Sequence, residues 1–369
     1  MKLSLAIFAV SDACSNELLS QQCDNDCIAS YLDCQTNCLS DGCNLQCENN
    51  YKSCFNNCPC GGFCPKGCEN CPSEYCYDPL KKTVVVGQRF DQTDLTASYF
   101  VGENSLEQVD AFSPKINQIY FAGSVFFKGE LWIFGGYPDG NKISILGGCN
   151  FEEQQTRLKY LFSTERHALT LFEENVWLCF GNARRCEIFD GETSVLDDQN
   201  VNVARGYDVA LGVYDQQLIA VGGYGVSRGK VELRDEQKWR LIEDHPVDIA
   251  YTEVISFKRG ILTLGGTSAR VDDMNEDGYE VVKGIYRLED YVWSQVGELQ
   301  HANMLGKAAL NGNELLFIPG LKQPWVVQKF RWNEETEWLD ENGSYETGQE
   351  GYTTFPLVFD SRAVSCELF

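Results

Sequence analysis

From residue 83 onward the hydrophobic positions come in short runs that each stop at a turn. Val84-Val85-Val86, Trp132-Ile133-Phe134, Leu178-Cys179-Phe180, Ile219-Ala220-Val221, Leu262-Thr263-Leu264 and Leu316-Phe317-Ile318 all end on glycine or on Pro319-Gly320. Runs this short, rich in β-branched and aromatic residues and bounded by glycine, read as strands. The anchor positions 87, 135, 181, 222, 265 and 319 are 48, 46, 41, 43 and 54 residues apart. Most anchors have a partner strand upstream across a short turn, as in Ser124–Phe127, Ala168–Phe172, Val209–Val213 and Thr252–Phe257. A third strand and often a tryptophan (Trp239, Trp293, Trp338) follow downstream.

A period of 40–55 residues holding about four strands is the signature of propeller blades, each a small sheet that must pack on its neighbours. We expect an all-β six-bladed β-propeller over residues 83–369. Gly87 lacks an upstream strand, and Thr353–Phe359 is a strand without a blade. Pairing the two would close the ring and leave no free edge. The di-glycines with a downstream Trp, best seen with Tyr286 and Trp293, resemble the kelch repeat. In two repeats Gly181-Asn182 and Pro319-Gly320 stand where the doublet is expected. The resemblance implies recognition of a partner through the loops of one propeller face, although fold alone does not establish function.

Before residue 83 the pattern is different. The chain has 18 cysteines, and all but Cys149, Cys179, Cys186 and Cys366 lie between Cys14 and Cys76. Cys23, Cys27, Cys34 and Cys38 share a spacing with Cys43, Cys47, Cys54 and Cys58, shifted along the chain. Those steps return to one side of a helix with about 3.6 residues per turn, so each set is a thiol stripe. A turn at Ser40-Asp41-Gly42 would fold the stripes into an antiparallel helical hairpin over residues 14–59. One register then pairs Cys23 with Cys58, Cys27 with Cys54, Cys34 with Cys47 and Cys38 with Cys43. A metal cluster is the competing use of these thiols, but only Cys68-x2-Cys71 has a zinc-knuckle spacing. Residues 60–82 read as a Cys/Pro/Gly-rich knot and linker. In the propeller segment Cys179 and Cys186 would face each other across a hairpin, and Cys149 would pair with Cys366.

Lys2, the apolar run Leu3–Val10 and the small residues before position 14 read as a signal peptide over residues 1–13. With the cysteine density this predicts an oxidising, extracellular location. The formal net charge of -24 opposes nucleic acid and anionic membrane surfaces, and no apolar stretch is long enough to span a bilayer.

Sites of chemistry are few in the sequence. His167, His245 and His301 form no metal or catalytic set, and no nucleophile elbow or phosphate loop is present. The sequence therefore predicts no catalytic residues and no bound cofactor apart from calcium. Asp273, Asn275 and Asp277, with Gly278, match the opening of a calcium loop, yet Gly284 stands where its final Glu should be. The alternative is a solvated acidic loop. Asn342-Gly343-Ser344 is a glycosylation sequon. Tyr137, Tyr224 and Tyr279 are candidate contact residues on loops. The expected function is a secreted, non-enzymatic interaction or matrix protein. Its expected partner is an extracellular protein, a glycan or a second copy of itself. The alternative is a carbohydrate-binding or carbohydrate-active propeller enzyme.

Overall fold

The computed structural model describes residues 83–89, 96–101, 106–109, 122–136, 140–147, 150–159, 168–180, 185–205, 208–235, 238–258, 260–269, 279–311, 314–320, 325–346 and 352–360. The chain divides into two compact units, Met1–Leu80 with Leu310–Asn313, and Lys81–Ala309 with Glu314–Phe369. The signal peptide, the helical hairpin with its four disulfides, and the 60–82 knot lie outside the described residues.

The second unit is all-β and propeller-like, a succession of four-stranded antiparallel meanders. Sheet I is made of β1 (Thr83–Arg89), β2 (Thr96–Val101) and β3 (Leu106–Val109), plus one strand from the far end of the chain. Sheet II is β4 (Gly123–Phe127), β5 (Glu130–Phe134), β6 (Ile143–Gly147) and β7 (Asn150–Glu153). Sheet III is β8 (Ala168–Phe172), β9 (Asn175–Cys179), β10 (Cys186–Phe189) and β11 (Ser194–Leu196). Sheet IV is β12 (Ala210–Tyr214), β13 (Gln217–Val221), β14 (Val231–Arg234) and β15 (Trp239–Leu241).

Two further meanders complete the set. Sheet V uses β16 (Glu253–Phe257) and β17 (Gly260–Leu264). A two-stranded hairpin, β18 (Thr267–Ala269) with β19 (Tyr279–Val281), then interrupts it before β20 (Gly284–Glu289) and β21 (Val292–Glu298). Sheet VI is β22 (Lys307–Asn311), β23 (Glu314–Ile318), β24 (Val326–Asn333) and β25 (Trp338–Glu346). A single parallel bridge, Gly297 to Leu339, links sheets V and VI. The last strand, β26 (Tyr352–Asp360), pairs antiparallel with β1, Val84 against Phe359 and Val86 against Leu357. The orphan strand and the incomplete first unit therefore meet as the sequence pattern required.

The core lies between sheets and not within them. β13 shows why: successive side chains of a strand point to opposite faces. Leu218 and Ala220 join Trp177, Cys179, Phe180 and Leu211 in one cluster, while Ile219 and Val221 join Ile249, Ile261, Leu288 and Trp293 in another. A third cluster sets Trp132 and Phe134 of sheet II against Val176, Leu178 and Phe189 of sheet III. Second strands are buried on both faces, so their sequences are continuous apolar runs without alternation. Cys179 and Cys186 occupy paired positions on β9 and β10 and are disulfide-bonded, with an S–S distance of 2.03 Å.

The first-to-second strand connections are two-residue turns with residues in the left-handed region, among them Lys128-Gly129, Glu173-Glu174 and Asp215-Gln216. Two residues at positive φ give the turn whose twist suits a hairpin. At the other end of β5, β13 and β17 the chain again needs positive φ, at Gly135, Gly222 and Gly265. In sheet III the equivalent residue is Phe180, with φ 73°. Phe180 thus stands one residue before the expected anchor at 181, and its aromatic side chain is accommodated by packing against Trp239.

Gly222 is doubly constrained: a Cβ there would lie 2.2 Å from the Ile249 carbonyl oxygen of the next lead-in segment. At Gly129, also at positive φ, a Cβ meets nothing within 4 Å. Gly129→Ala should cost about 1 kcal/mol through backbone strain alone, and Gly222→Ala clearly more because neighbouring backbone must move. Urea unfolding of the two variants checks this, and equal losses would contradict it.

Candidate functional site

In sheets III to VI the first strand is preceded by a lead-in segment that comes from the sheet before. These segments bury backbone polar groups, which need partners. In sheet III the buried Glu187 of β10 accepts the Lys159 N–H at 2.6 Å. In sheet IV the buried Glu232 of β14 accepts the Asn202 N–H at 2.8 Å and the Asn202 side chain at 3.0 Å. In sheet VI the buried Gln328 of β24 accepts from His301 N–H at 3.0 Å and donates to its carbonyl at 2.9 Å. The same third-strand position thus clamps the incoming chain in three sheets.

Glu232 also holds Arg205, 2.9 Å from Nε to Oε2, with both side chains fully buried. Arg205 Nη1 donates to the carbonyls of Gly222 (2.6 Å) and Lys230 (3.0 Å), so the guanidinium ties the lead-in segment to the glycine doublet. Burial lowers the Arg205 pKa, an effect that the Glu232 charge opposes.

Sheet V departs from the pattern, with Tyr286 at the clamp position and His245 filling the space. The imidazole meets Tyr286 and Trp293 edge-on, at centroid distances of 4.9 and 4.6 Å. Nδ1 lies 2.8 Å from the Val247 carbonyl and 3.2 Å from the Val247 N–H, and Nε2 lies 2.9 Å from the Thr263 hydroxyl. Burial pulls the His245 pKa down to about 4.

These clamps bring the ends of the first strands together. β26 lies beside β4, β4 beside β8, β8 beside β12, and β12 beside β16. The residues leading into β12, β16 and β22, namely Asp208, Tyr251 and Leu305, all have positive φ. They are joined in series, Tyr251 N–H donating to Asp208 and Leu305 N–H to Tyr251, each at 3.1 Å. The first residues of β4, β8 and β12 are the small Gly123, Ala168 and Ala210, whereas β16 begins with Glu253 and β22 with Lys307. Glu253 and Lys307 form a 2.8 Å ion pair. Burial raises the Glu253 pKa, although Lys307 and the Ala308 N–H act against it. Among the described carboxylates it is the one whose pKa is shifted upward.

The same face carries the long connections. Between second and third strands the chain runs through 135–142, 180–185, 222–230, 265–283 and 319–325. In sheet IV that loop contains a 3-10 turn, Gly225–Ser227, where Val226 is 79% exposed and the Arg228 guanidinium lies over the Tyr224 ring at 5.2 Å. In sheet V it contains the β18–β19 hairpin, whose base is fixed by reciprocal hydrogen bonds between Ala250 and Thr267.

Asp273, Asn275 and Asp277 fall in the span that joins β18 to β19, outside the described residues, as do Tyr137, Cys149, His167 and Cys366. Tyr279 is the first residue of β19. Asn342 lies exposed on β25, far along the chain from these loops. Among the described residues no group of three or more His, Cys, Asp or Glu is arranged to hold a metal ion, and no helix is long and apolar enough to cross a membrane. Sequence reading missed the clamps and the Glu253–Lys307 pair. The clamps had a signal, because Cys186-Glu187-Ile188-Phe189-Asp190 and Val231-Glu232-Leu233-Arg234-Asp235 repeat the acid at one position between apolar neighbours.

Comparison with protein-family models finds no match, and neither does comparison with curated proteins. Among solved structures the chain is similar to one described as "Structure of YjhT", at a TM-score of 0.54 and 12% identity, over 72% of this chain and 99% of that one. An identity this low speaks to fold alone. In all, 309 solved chains match, so the architecture is a common one and does not point to a single activity.

Neutral His245 is favoured by the native fold, so its stabilisation is complete above the ordinary pKa of 6.5 and is lost as pH falls toward 4. The wild type should lose about 2 kcal/mol more than His245→Gln between roughly pH 7.5 and 5. Parallel unfolding titrations of both proteins test this, and identical pH slopes would contradict it.

Proposed function

We propose that the chain is a secreted, non-enzymatic binding protein. In this reading a six-bladed kelch-like propeller follows an N-terminal disulfide-laddered helical hairpin. The propeller recognises an extracellular protein or glycan through its glycine-doublet face. The observation that carries the proposal is the unequal treatment of the two ends of the meanders. At one end the connections are tight turns with left-handed residues. At the other end they are long and unlike one another, and include the 3-10 turn with Val226 and the inserted β18–β19 hairpin. In repeat folds, insertions gathered on one face of a rigid scaffold mark the binding side. The density of cysteines before residue 77 and the leader-like N-terminus support export. Calcium at Asp273, Asn275 and Asp277 would stiffen the hairpin tip.

A second reading, a carbohydrate-active enzyme, is favoured by one feature, the half-buried Glu253 beside Lys307. Glycoside hydrolysis by paired carboxylates would need a second acid in the same cleft.

The test is binding of the full chain to arrays of immobilised extracellular-matrix proteins and glycans. Val226→Arg should weaken the observed interaction at least about tenfold with an unchanged melting temperature, as expected of an exposed contact residue. Glu173→Lys, on the tight-turn side, should leave binding intact. Loss of binding with Glu173→Lys but not with Val226→Arg would place the site on the wrong face. Turnover of a glycan that Glu253→Gln abolishes would favour the second reading.

A further inference from the structure

Asn342 lies at a break in the regular pairing of β24 with β25. Lys329 pairs with Gly343 and Phe330 with Glu341, so Asn342 is the extra residue of a β-bulge. Gly343 has φ 133° and open space on its Cβ side. Glu341, Asn342, Gly343 and Ser344 are all exposed. The Asn342 amide is held outward by a surface hydrogen bond from Nδ2 to Glu314 Oε1 at 3.2 Å. Beside it is an open cleft of about 490 Å³ whose lining includes Arg331, Asn333, Asp340 and Asn342. The sequon thus combines an accessible amide, an exposed hydroxyl two residues on, and polar space for a first sugar.

The position matters because of what β25 leaves open. Its only strand pairing on the outer side, among the described residues, is the bridge from Leu339 to Gly297. Among the described residues, no strand pairs with that edge from Asp340 to Glu346. An open edge this long is a template for pairing with another chain. Asp340 and Glu341 already place charge on it.

We infer that Asn342 carries an N-linked glycan, and that this glycan covers the open edge of β25 and keeps it from pairing with a second copy. The inference rests on the reading of the chain as exported. Chemically, Nδ2 attacks the anomeric carbon of an oligosaccharide borne on a lipid diphosphate. The new C–N bond replaces the C–O bond to phosphate, the lipid diphosphate leaves, and Nδ2 gives up one proton. The remaining N–H can still donate to Glu314.

The experiment uses the full chain, with its own N-terminus, expressed in eukaryotic cells as wild type, Asn342→Gln and Ser344→Ala. Wild-type protein from the medium should shift down by one glycan on treatment with peptide N-glycosidase, which converts residue 342 to aspartate in the peptide map. Neither variant should shift. In sedimentation velocity both variants should associate at concentrations where the wild type stays monomeric. Chain in the medium without a glycan overturns the modification and leaves export standing. Chain retained in the cytosol overturns both. A glycan whose removal leaves the association state unchanged overturns the shielding role.

Discussion

No four-stranded sheet in this protein can bury both of its faces alone. The alternation of Leu218, Ile219, Ala220 and Val221 sends neighbouring side chains of one short strand into two different cores. Sheets III and IV are each packed between two others, and the described segments crossing between sheets are buried with their backbone polar groups. An unpaired buried N–H or carbonyl costs roughly 1–3 kcal/mol, so these crossings need polar partners inside the core. Glu187, Glu232 and Gln328 provide them from a single repeated position. Arg205 extends the device by tying Glu232 to the carbonyl of Gly222, and stranding either charge would cost roughly 3–5 kcal/mol. Where sheet V has Tyr286 at that position, His245 fills the site as a neutral imidazole.

This architecture divides labour between its two ends. Tight turns keep neighbouring strands in register and leave little to vary. The doublet end must turn the chain sharply and then release it, so long and dissimilar loops accumulate there. Stitching of Asp208, Tyr251 and Leu305 in series holds the strand ends firm beneath those loops. A rigid base under varied loops is the arrangement that supports recognition, and it can hold a perturbed carboxylate such as Glu253 as well.

Strand content was legible in the sequence because second strands are buried on both faces and therefore read as uninterrupted apolar runs. The pairing of β26 with β1 was legible for a different reason: one unit lacked a strand and the end of the chain had one to spare. The Cys179–Cys186 bond followed from a spacing that spans a hairpin. The sheet III anchor was misplaced by one residue, since Phe180 adopts a backbone conformation that sequence reading reserves for glycine. His245 belongs to no set in the sequence, and nothing local announces that Tyr286 and Trp293 close over it. Glu253 and Lys307 are far apart in the chain and meet only because consecutive first strands are neighbours, so their pairing had no local signature.

The central claim is that the two ends of this unit close one cooperative ring through β1 and β26. Native-state hydrogen exchange measures that directly, because strands that open together share one opening free energy. Amides of Thr83–Arg89 and Tyr352–Asp360 should exchange with the same free energy, close to that of the buried second strands. Exchange of the two segments at independent and much lower free energies would show that the ring is not closed there, and would contradict the account.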